Sequence, residues 1–374
     1  MRYIGNKTKL LPFIADRLKT CGITSGRALD AFAGTAAVGS FLKGQGFAVQ
    51  ACDVMTYSYV FQRAYLEADR YPQFRALRGD RELELARARL DFAERAEERM
   101  NGAPAAAKAL SGILLFLDTF LDAERGFISR EFSAENAESG RMYFTRANAG
   151  RIDAIRRRLH EWHAGEHITG DEFHLLLAAL IESADSVANT TGVYAAFVKS
   201  WQSNARRELR LKVPAVVPRQ GARCRAHLAN VFDIVEKVGP LDLLYLDPPY
   251  NTRQYSGYYH IPELIARGWL EGAVALRGKT GLIPAAADQR SDWSSRARCA
   301  PALEALLAKA DARHVMLSYN NEGIIPPDAI RRALKAYGRA HTYRCFSRHY
   351  TRYRADDRNY TADRTVEYLH YIAK

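Results

Sequence analysis

Apolar positions along the chain follow two different rhythms, and the change between them divides the sequence. Leu10, Leu11, Ile14 and Leu18 recur at helical spacing and predict an amphipathic helix over Lys9 to Lys19. Arg27 to Phe32 is a short apolar run ending in Ala33-Gly34-Thr35, and a small-residue helix follows through Gly39 to Leu42. Phe47 to Asp53 is a second strand ending in an acid. Strand, glycine turn, helix, strand and acid make one βαβ unit. The same character returns after Cys224. Leu241 to Leu246 is an apolar run broken only by Asp242, as expected of a central parallel strand buried on both faces. It stops abruptly at Asp247-Pro248-Pro249-Tyr250. Further strands are predicted at His314 to Ser318 and near 341–347 and 364–372.

Between these ends the rhythm is helical. Residues 78–100 are dense in Arg, Glu, Leu and Ala, and 105–121 and 171–185 read as more apolar helices forming a core. The stretch 122–150 has no clear period. Pro214 and Pro218 bracket a linker. The simplest topology is one α/β domain built from residues 1–71 and 223–374, with 72–222 inserted as a helical module.

Length and charge sharpen this picture. The chain has 374 residues, enough for two domains at roughly 100–200 residues each. Its 48% hydrophobic and 26% charged residues exclude disordered, collagenous and coiled-coil classes. Lys and Arg number 54 against 42 Asp and Glu, a formal charge of +12 that favours a polyanionic partner. A membrane partner is disfavoured, because no run of about 18 apolar residues occurs. The N-terminus lacks the apolar core of a signal peptide, and five scattered cysteines argue against disulfides or a zinc site. A reducing, cytoplasmic location is expected.

Two motifs carry chemistry. Asp247-Pro248-Pro249-Tyr250 sits at the carboxyl end of a buried strand, where open α/β sheets place their sites. Two prolines remove two N–H donors, so the neighbouring carbonyls and the Asp247 carboxylate face the site as pure acceptors. Acceptors of this kind suit an exocyclic amine: gripping its two hydrogens favours a pyramidal nitrogen and frees its lone pair for attack. Tyr250 is suited to stack on a ring. The second motif is Asp30-Ala31-Phe32-Ala33-Gly34-Thr35-Ala36-Ala37-Val38-Gly39, a glycine turn between strand and helix that allows close approach of a ligand. Asp53, ending the next strand, is placed for a ribose diol. The full GxGxxG pattern is missing, which favours a nucleoside without phosphates such as S-adenosylmethionine.

With these residues in view, the sequence resembles N6-adenine DNA methyltransferases of the group that includes Dam and the FokI-type modification enzymes. Tyr3-Ile4-Gly5-Asn6-Lys7, the Phe32 to Gly34 block, an inserted recognition region and Asp247 to Tyr250 occur in that group's order. The likeness continues in Asn251 to His260, Asn189 to Tyr194 and Ser318 to Gly323. It implies a Rossmann-like, S-adenosylmethionine-dependent α/β fold with a mainly helical target-recognition insertion. It implies that Tyr3 and Lys7 line the methionine end of the cofactor, that Asp30, Phe32, Ala33 and Gly34 form its turn, and that Asp53 binds its ribose. Asn230, with Asp233 nearby, matches the place of an acid contacting the cofactor's adenine. Asp247, Pro248, Pro249 and Tyr250 would then hold a flipped adenine, since N6 cannot meet a bulky donor inside the base stack. The family's second glycine is Ala36 in this chain.

Charge and aromatics nominate the DNA contacts. Arg206 and Arg207 lie close to Arg210 and Lys212, and Arg348, Arg352 and Arg354 lie in an acid-free stretch rich in tyrosine. Arg253 and Tyr255 directly follow the Asp-Pro-Pro-Tyr turn. Arg156 to Arg158 read equally well as a solvated helix surface. His163-Ala164-Gly165-Glu166-His167 matches HxxEH, but its glycine argues against a stable helix, and no metal is expected. The expectation is a monomeric, site-specific adenine methylase acting on double-stranded DNA, either orphan or paired with a cognate restriction endonuclease. RNA or N4-cytosine methylation would use the same chemistry. A catalytically inactive DNA-binding module is the alternative from another class.

Overall fold

A computed structural model describes residues 1–135, 138–286, 289–351 and 364–374. Arg352 and Arg354 lie outside the described residues.

Seven strands form one sheet: β1 (Arg27–Asp30), β2 (Ala48–Asp53), β3 (Arg225–Leu228), β4 (Leu241–Leu246), β5 (Ala312–Asn320), β6 (Arg344–Thr351) and β7 (Arg364–Ala373). Their order is β3-β2-β1-β4-β5-β7-β6. The first five in that order run parallel, and β7 runs antiparallel to both of its neighbours. This mixed sheet agrees with the methyltransferase fold expected from the sequence. β4 is buried at every position except Asp242, with helices supplying the covering faces. Chain direction across the sheet reverses at β1, with β2 on one side and β4 on the other. The carboxyl ends of β1 and β4 therefore flank the switch point where such sheets bind ligands. Asp30 pairs in register with Tyr245, so Asp30 and Asp247 emerge at the same edge.

One strand has no clear sequence signal. β3 is only four residues long and partly exposed throughout, because it is an edge strand with one neighbour. Lacking a buried face, it needs no apolar alternation.

Contacts divide the chain into two compact units. The α/β unit comprises Ile4–Gln62, Arg219–Tyr258 and Ala285–Lys374, and the helical unit comprises Met1–Tyr3, Arg63–Pro218 and Tyr259–Pro284. The passage at Pro218 falls in the proline-bracketed stretch. The other boundaries differ from a division at 71 and 223, because Arg63 to Tyr71 and Tyr259 to Pro284 pack with the helices.

The reason is clearest for the helix His260–Arg267, whose first seven residues are all buried. Its C-terminal carbonyls need donors. Arg156, on the helix Arg146–Ala164, supplies them: Nε donates to the Ile265 carbonyl at 2.8 Å and Nη2 to that of Arg267 at 3.3 Å. Arg156 is thus an internal cap, and burial lowers its pKa to about 10. Arg157 pairs with Glu124 and Glu161, and Arg158 with Glu82. None of the three is simply solvated. Their neighbour His163 stacks on Phe173, and the helix ends at Ala164, so His163 and His167 share no helical face. Among the described residues, no helix is long and apolar enough to cross a membrane.

The capped end is closed by Gly268 at φ +86° and ψ 174°, a conformation that is essentially glycine-only. A Cβ there would lie 2.4 Å from Arg156 Nη2. Gly268→Ala is therefore expected to destabilise the helical unit by about 1–3 kcal/mol, read as a lower urea midpoint. An unchanged midpoint would show that the cap does not constrain this turn.

Candidate active site

At the carboxyl end of β4 the chain must turn without using backbone donors, since Pro248 and Pro249 have none. The turn is pinned from the side of β5 instead. Ile324 N–H donates to the Tyr250 carbonyl at 3.0 Å, and the Tyr319 hydroxyl lies 3.5 Å from the Pro249 carbonyl. Among the described residues, no donor reaches the buried Pro248 carbonyl. The Tyr250 ring meets Tyr319 edge-on at 5.2 Å.

The Asp247 carboxylate turns into a buried polar cluster. Its Oδ1 lies 2.9 Å from Lys7 Nζ and accepts from the Tyr250 hydroxyl at 2.5 Å. Glu367 on β7 completes the group: its Oε1 is 3.3 Å from Lys7 Nζ and 3.1 Å from the Tyr250 hydroxyl, and it accepts from Ser318 Oγ. Lys7 also contacts the Tyr250 hydroxyl and donates to the Gly5 carbonyl at 3.1 Å. Burial raises the Asp247 pKa to about 6, with Lys7 opposing the rise and Glu367 adding to it. Two carboxylates therefore share one ammonium.

The βα turn after β1 lies on the same edge. Asp30 is buried, and its Oδ2 accepts from Gly39 N–H at 2.9 Å, fixing the start of the helix Ala37–Gly44. Burial, reinforced by the negative charges of Asp247 and Asp53, raises its pKa to about 7. Gly34 takes φ +51° and donates its N–H to Asp53 Oδ2 at 2.9 Å. Asp53 Oδ1 accepts from Met55 N–H at 3.0 Å. Ala36, where the family has glycine, is fully buried at φ +59°. The turn thus keeps its left-handed shape without the glycine. Phe32 meets Trp293 edge-on at 4.9 Å, and Phe232 stacks on the same indole at 6.5 Å. Asn230 Oδ1 caps a short helix by accepting from Phe232 N–H at 3.1 Å, and Asp233 is exposed.

Lys7, Asp30, Phe32, Ala33, Gly34, Asp53 and Asn230 all belong to the α/β unit together with Asp247 to Tyr250. Tyr3 belongs to the helical unit, where its ring stacks on Tyr259 at 4.7 Å. Arg253 is exposed beyond the turn, whereas the Tyr255 hydroxyl donates inward to the Ile4 carbonyl at 3.4 Å. Arg348 is exposed on β6, directly opposite Glu367. Arg206 and Arg207 are exposed on a loop of the helical unit. Asn148 organises that loop, donating to the Arg207 carbonyl at 2.8 Å and accepting from Leu209 N–H at 2.9 Å. Asp118 fixes its far end through Leu211 N–H at 2.7 Å.

Three participants were invisible to motif reading: Glu367, Ser318 as its donor, and Trp293. Glu367 leaves a trace, because it shares the inward phase of Thr365, Leu369 and Tyr371 along β7, all of them buried. An acid at that phase of a buried strand demands a counter-charge. Trp293 carries no comparable signal.

Comparison with known proteins identifies the family. A family model described as D12 class N6 adenine-specific DNA methyltransferase matches residues 3–269. The type II methyltransferase M.NlaIII of Neisseria lactamica is 32% identical, covering 100% of this chain and 99% of that protein. The type II methyltransferase M.FokI of Planomicrobium okeanokoites is 31% identical over 100% of this chain and 53% of its own length. Modification methylase StsI of Streptococcus sanguinis is 28% identical, over 90% and 46%. The chain thus spans about half of the latter two relatives. No solved structure matches the chain. Matched over well more than half of its length by the family model, and along its whole length by M.NlaIII, the chain belongs to the D12 class of N6 adenine-specific DNA methyltransferases.

Proposed function

We propose that the chain transfers a methyl group from S-adenosylmethionine to N6 of an adenine rotated out of duplex DNA. On this reading it works in the cytoplasm as a monomer, as the modification partner of a restriction endonuclease. The observation that carries the reading is the half-buried Asp247 carboxylate beside the acceptor-only Pro-Pro turn, at the switch point of the sheet.

The residues of the turn after β1 fit such a cofactor. Asp30, Asp53 and Asp247 form an acidic neighbourhood that suits a cationic nucleoside, and Asp53 can accept from a ribose diol. Phe32 and Phe232 offer aromatic surface to its adenine, with Trp293 behind them. When bound, the cofactor supplies a methyl carbon made electrophilic by its sulfonium. Asp247 and the Pro248 carbonyl would accept the two N6 hydrogens of the target base, orienting the nitrogen lone pair. On accepting the methyl group N6 would have to lose one proton, for which Asp247 is the adjacent acceptor. Positioning supplies most of the acceleration. The helical unit would read the sequence, with Arg206 and Arg207 on phosphates, while Arg253 and Arg348 would support the backbone around the extruded base.

Asp247→Asn, which keeps the shape and removes the charge, should lower tritiated methyl transfer to DNA by roughly 10²–10³-fold, as for other preorganised groups in a site. Transfer equal to wild type would remove Asp247 from the reaction. Nucleoside mass spectrometry should find N6-methyladenine, and methylated cytosine or RNA would overturn the substrate assignment.

Acid should weaken the enzyme, because a protonated Asp247 loses its charge as an acceptor. Single-turnover rates are expected to rise through pH about 6 and level above it. Stability runs the other way for this group. Its folded pKa is raised from 3.8, so protonation favours the folded state, and its contribution declines as pH climbs from about 4 to 6. A rate constant that does not change between pH 5 and 8 would contradict this role.

DNA affinity should fall linearly on a log–log salt plot. Replacing both Arg206 and Arg207 by alanine should reduce the slope by roughly 2. An unaltered slope would mean that neither arginine touches phosphate.

A further inference from the structure

Three aromatic rings meet at the carboxyl edge of the sheet, and one of them is buried. Phe32 follows β1 and Phe232 follows β3, strands kept apart by β2, whose last residue is Asp53. Both phenylalanines are half-buried, whereas Trp293 is only 4% exposed and touches both. Its indole lies 17° from the plane of Phe232 and 76° from that of Phe32, so the two phenylalanine rings are steeply inclined to each other. Backed by a third ring, they make a corner in which a planar purine can stack on one and meet the other edge-on. The turn carrying the indole, Asp292–Ser294, is tied down by polar groups on both sides. Gln289 Nε2 donates to the Val54 carbonyl at 3.3 Å, one residue past Asp53. Gln254 and Ser291 exchange two hydrogen bonds at 2.9 and 3.1 Å, and Ser294 Oγ donates to the Arg253 carbonyl at 3.4 Å. Trp293 lies outside the residues 3–269 matched by the family model.

Resting on the reading of S-adenosylmethionine as the cofactor, we propose that Trp293 is a positioning residue for its adenine, holding Phe32 and Phe232 at the angle that receives the purine. Core filling needs only apolar volume, which many side chains supply. The indole adds a rigid plane broad enough to set two rings that arrive from non-adjacent strands. Without that plane both phenylalanines turn into the vacated space, and the purine loses its walls. Asp53 and the turn from Asp247 to Tyr250 keep their own hydrogen bonds, so the effect falls on cofactor affinity and not on the transfer step.

The test is calorimetry on the full chain with S-adenosylhomocysteine; if wild type does not bind it, the cofactor assignment fails, not this one. Trp293→Leu, which stays apolar but removes the plane, is expected to raise the Kd at least tenfold. 5′-Methylthioadenosine, which carries the adenosine without the amino-acid end, should weaken by a factor within threefold of that. Trp293→Phe should recover part of the affinity. In methyl transfer to DNA the loss should appear in the KM for S-adenosylmethionine, with kcat within threefold of wild type. A Kd within threefold of wild type, a loss confined to S-adenosylhomocysteine, or a kcat that falls as far as kcat/KM overturns the proposal. If Trp293→Leu does not fold, tryptophan fluorescence of wild type and Trp293→Phe tests the same point. Of the four tryptophans, Trp162, Trp201 and Trp269 belong to the helical unit and Trp293 to the α/β unit. S-Adenosylhomocysteine should change the wild-type emission, and Trp293→Phe should lose at least half of that change while still binding. No change in wild type, or an equal change in both proteins, overturns the proposal.

Discussion

A carboxylate buried at the end of an apolar strand is several kcal/mol too costly unless an opposite charge is buried with it. In this chain the opposite charge is Lys7, and much of the architecture follows from bringing it there. Lys7 reaches the site from the segment preceding the helix Leu11–Thr20, meets Asp247 past the end of β4, and meets Glu367 on β7. One ammonium therefore ties three distant stretches of sequence to one edge of the sheet. The prolines after Asp247 sharpen the constraint, because they give the turn no donors with which to neutralise itself.

The helical unit solves a different problem by related means. Its loop carrying Arg206 and Arg207 buries Ala205, Leu209 and Leu211, and buried polar side chains complete its shape. Asn148 grips it through both ends of its amide, and Asp118 joins Leu211 N–H to the Arg99 guanidinium. A loop built this way holds its exposed cations at low entropic cost, since its backbone is already ordered.

Much of the α/β unit could be read from the sequence because its central strands are largely buried and mostly apolar. Leu241–Leu246 was delimited to the residue, and β1, β2 and β5 to within a few. Legibility failed where burial did not dictate composition. β3 is an edge strand whose Arg225 and His227 satisfy no apolar pattern, and one of the ties that group Tyr259 to Pro284 with the helices is Arg156, a charged residue that reads as surface. At the site, Asp247 to Tyr250 stood out because an acid and two prolines at a strand end are chemically conspicuous. Glu367 did not, because its meaning depends on a strand pairing 117 residues away from Tyr250. Asp53 was legible as an acid ending a strand. That its carboxylate also braces the Gly34 turn came only from the structure.

Because β7 contributes Glu367 and lies between β5 and β6, the charge cluster can close only when nearly the whole sheet has been synthesised. A nascent chain still lacking that strand has Lys7 and Asp247 but neither the second carboxylate nor the inner neighbour of β6. Assembly of the cluster is thus coupled to the synthesis and pairing of β7. The long sequence separation of its members also makes this one of the slower folding events available to the molecule. The cluster's late closure follows from strand order alone.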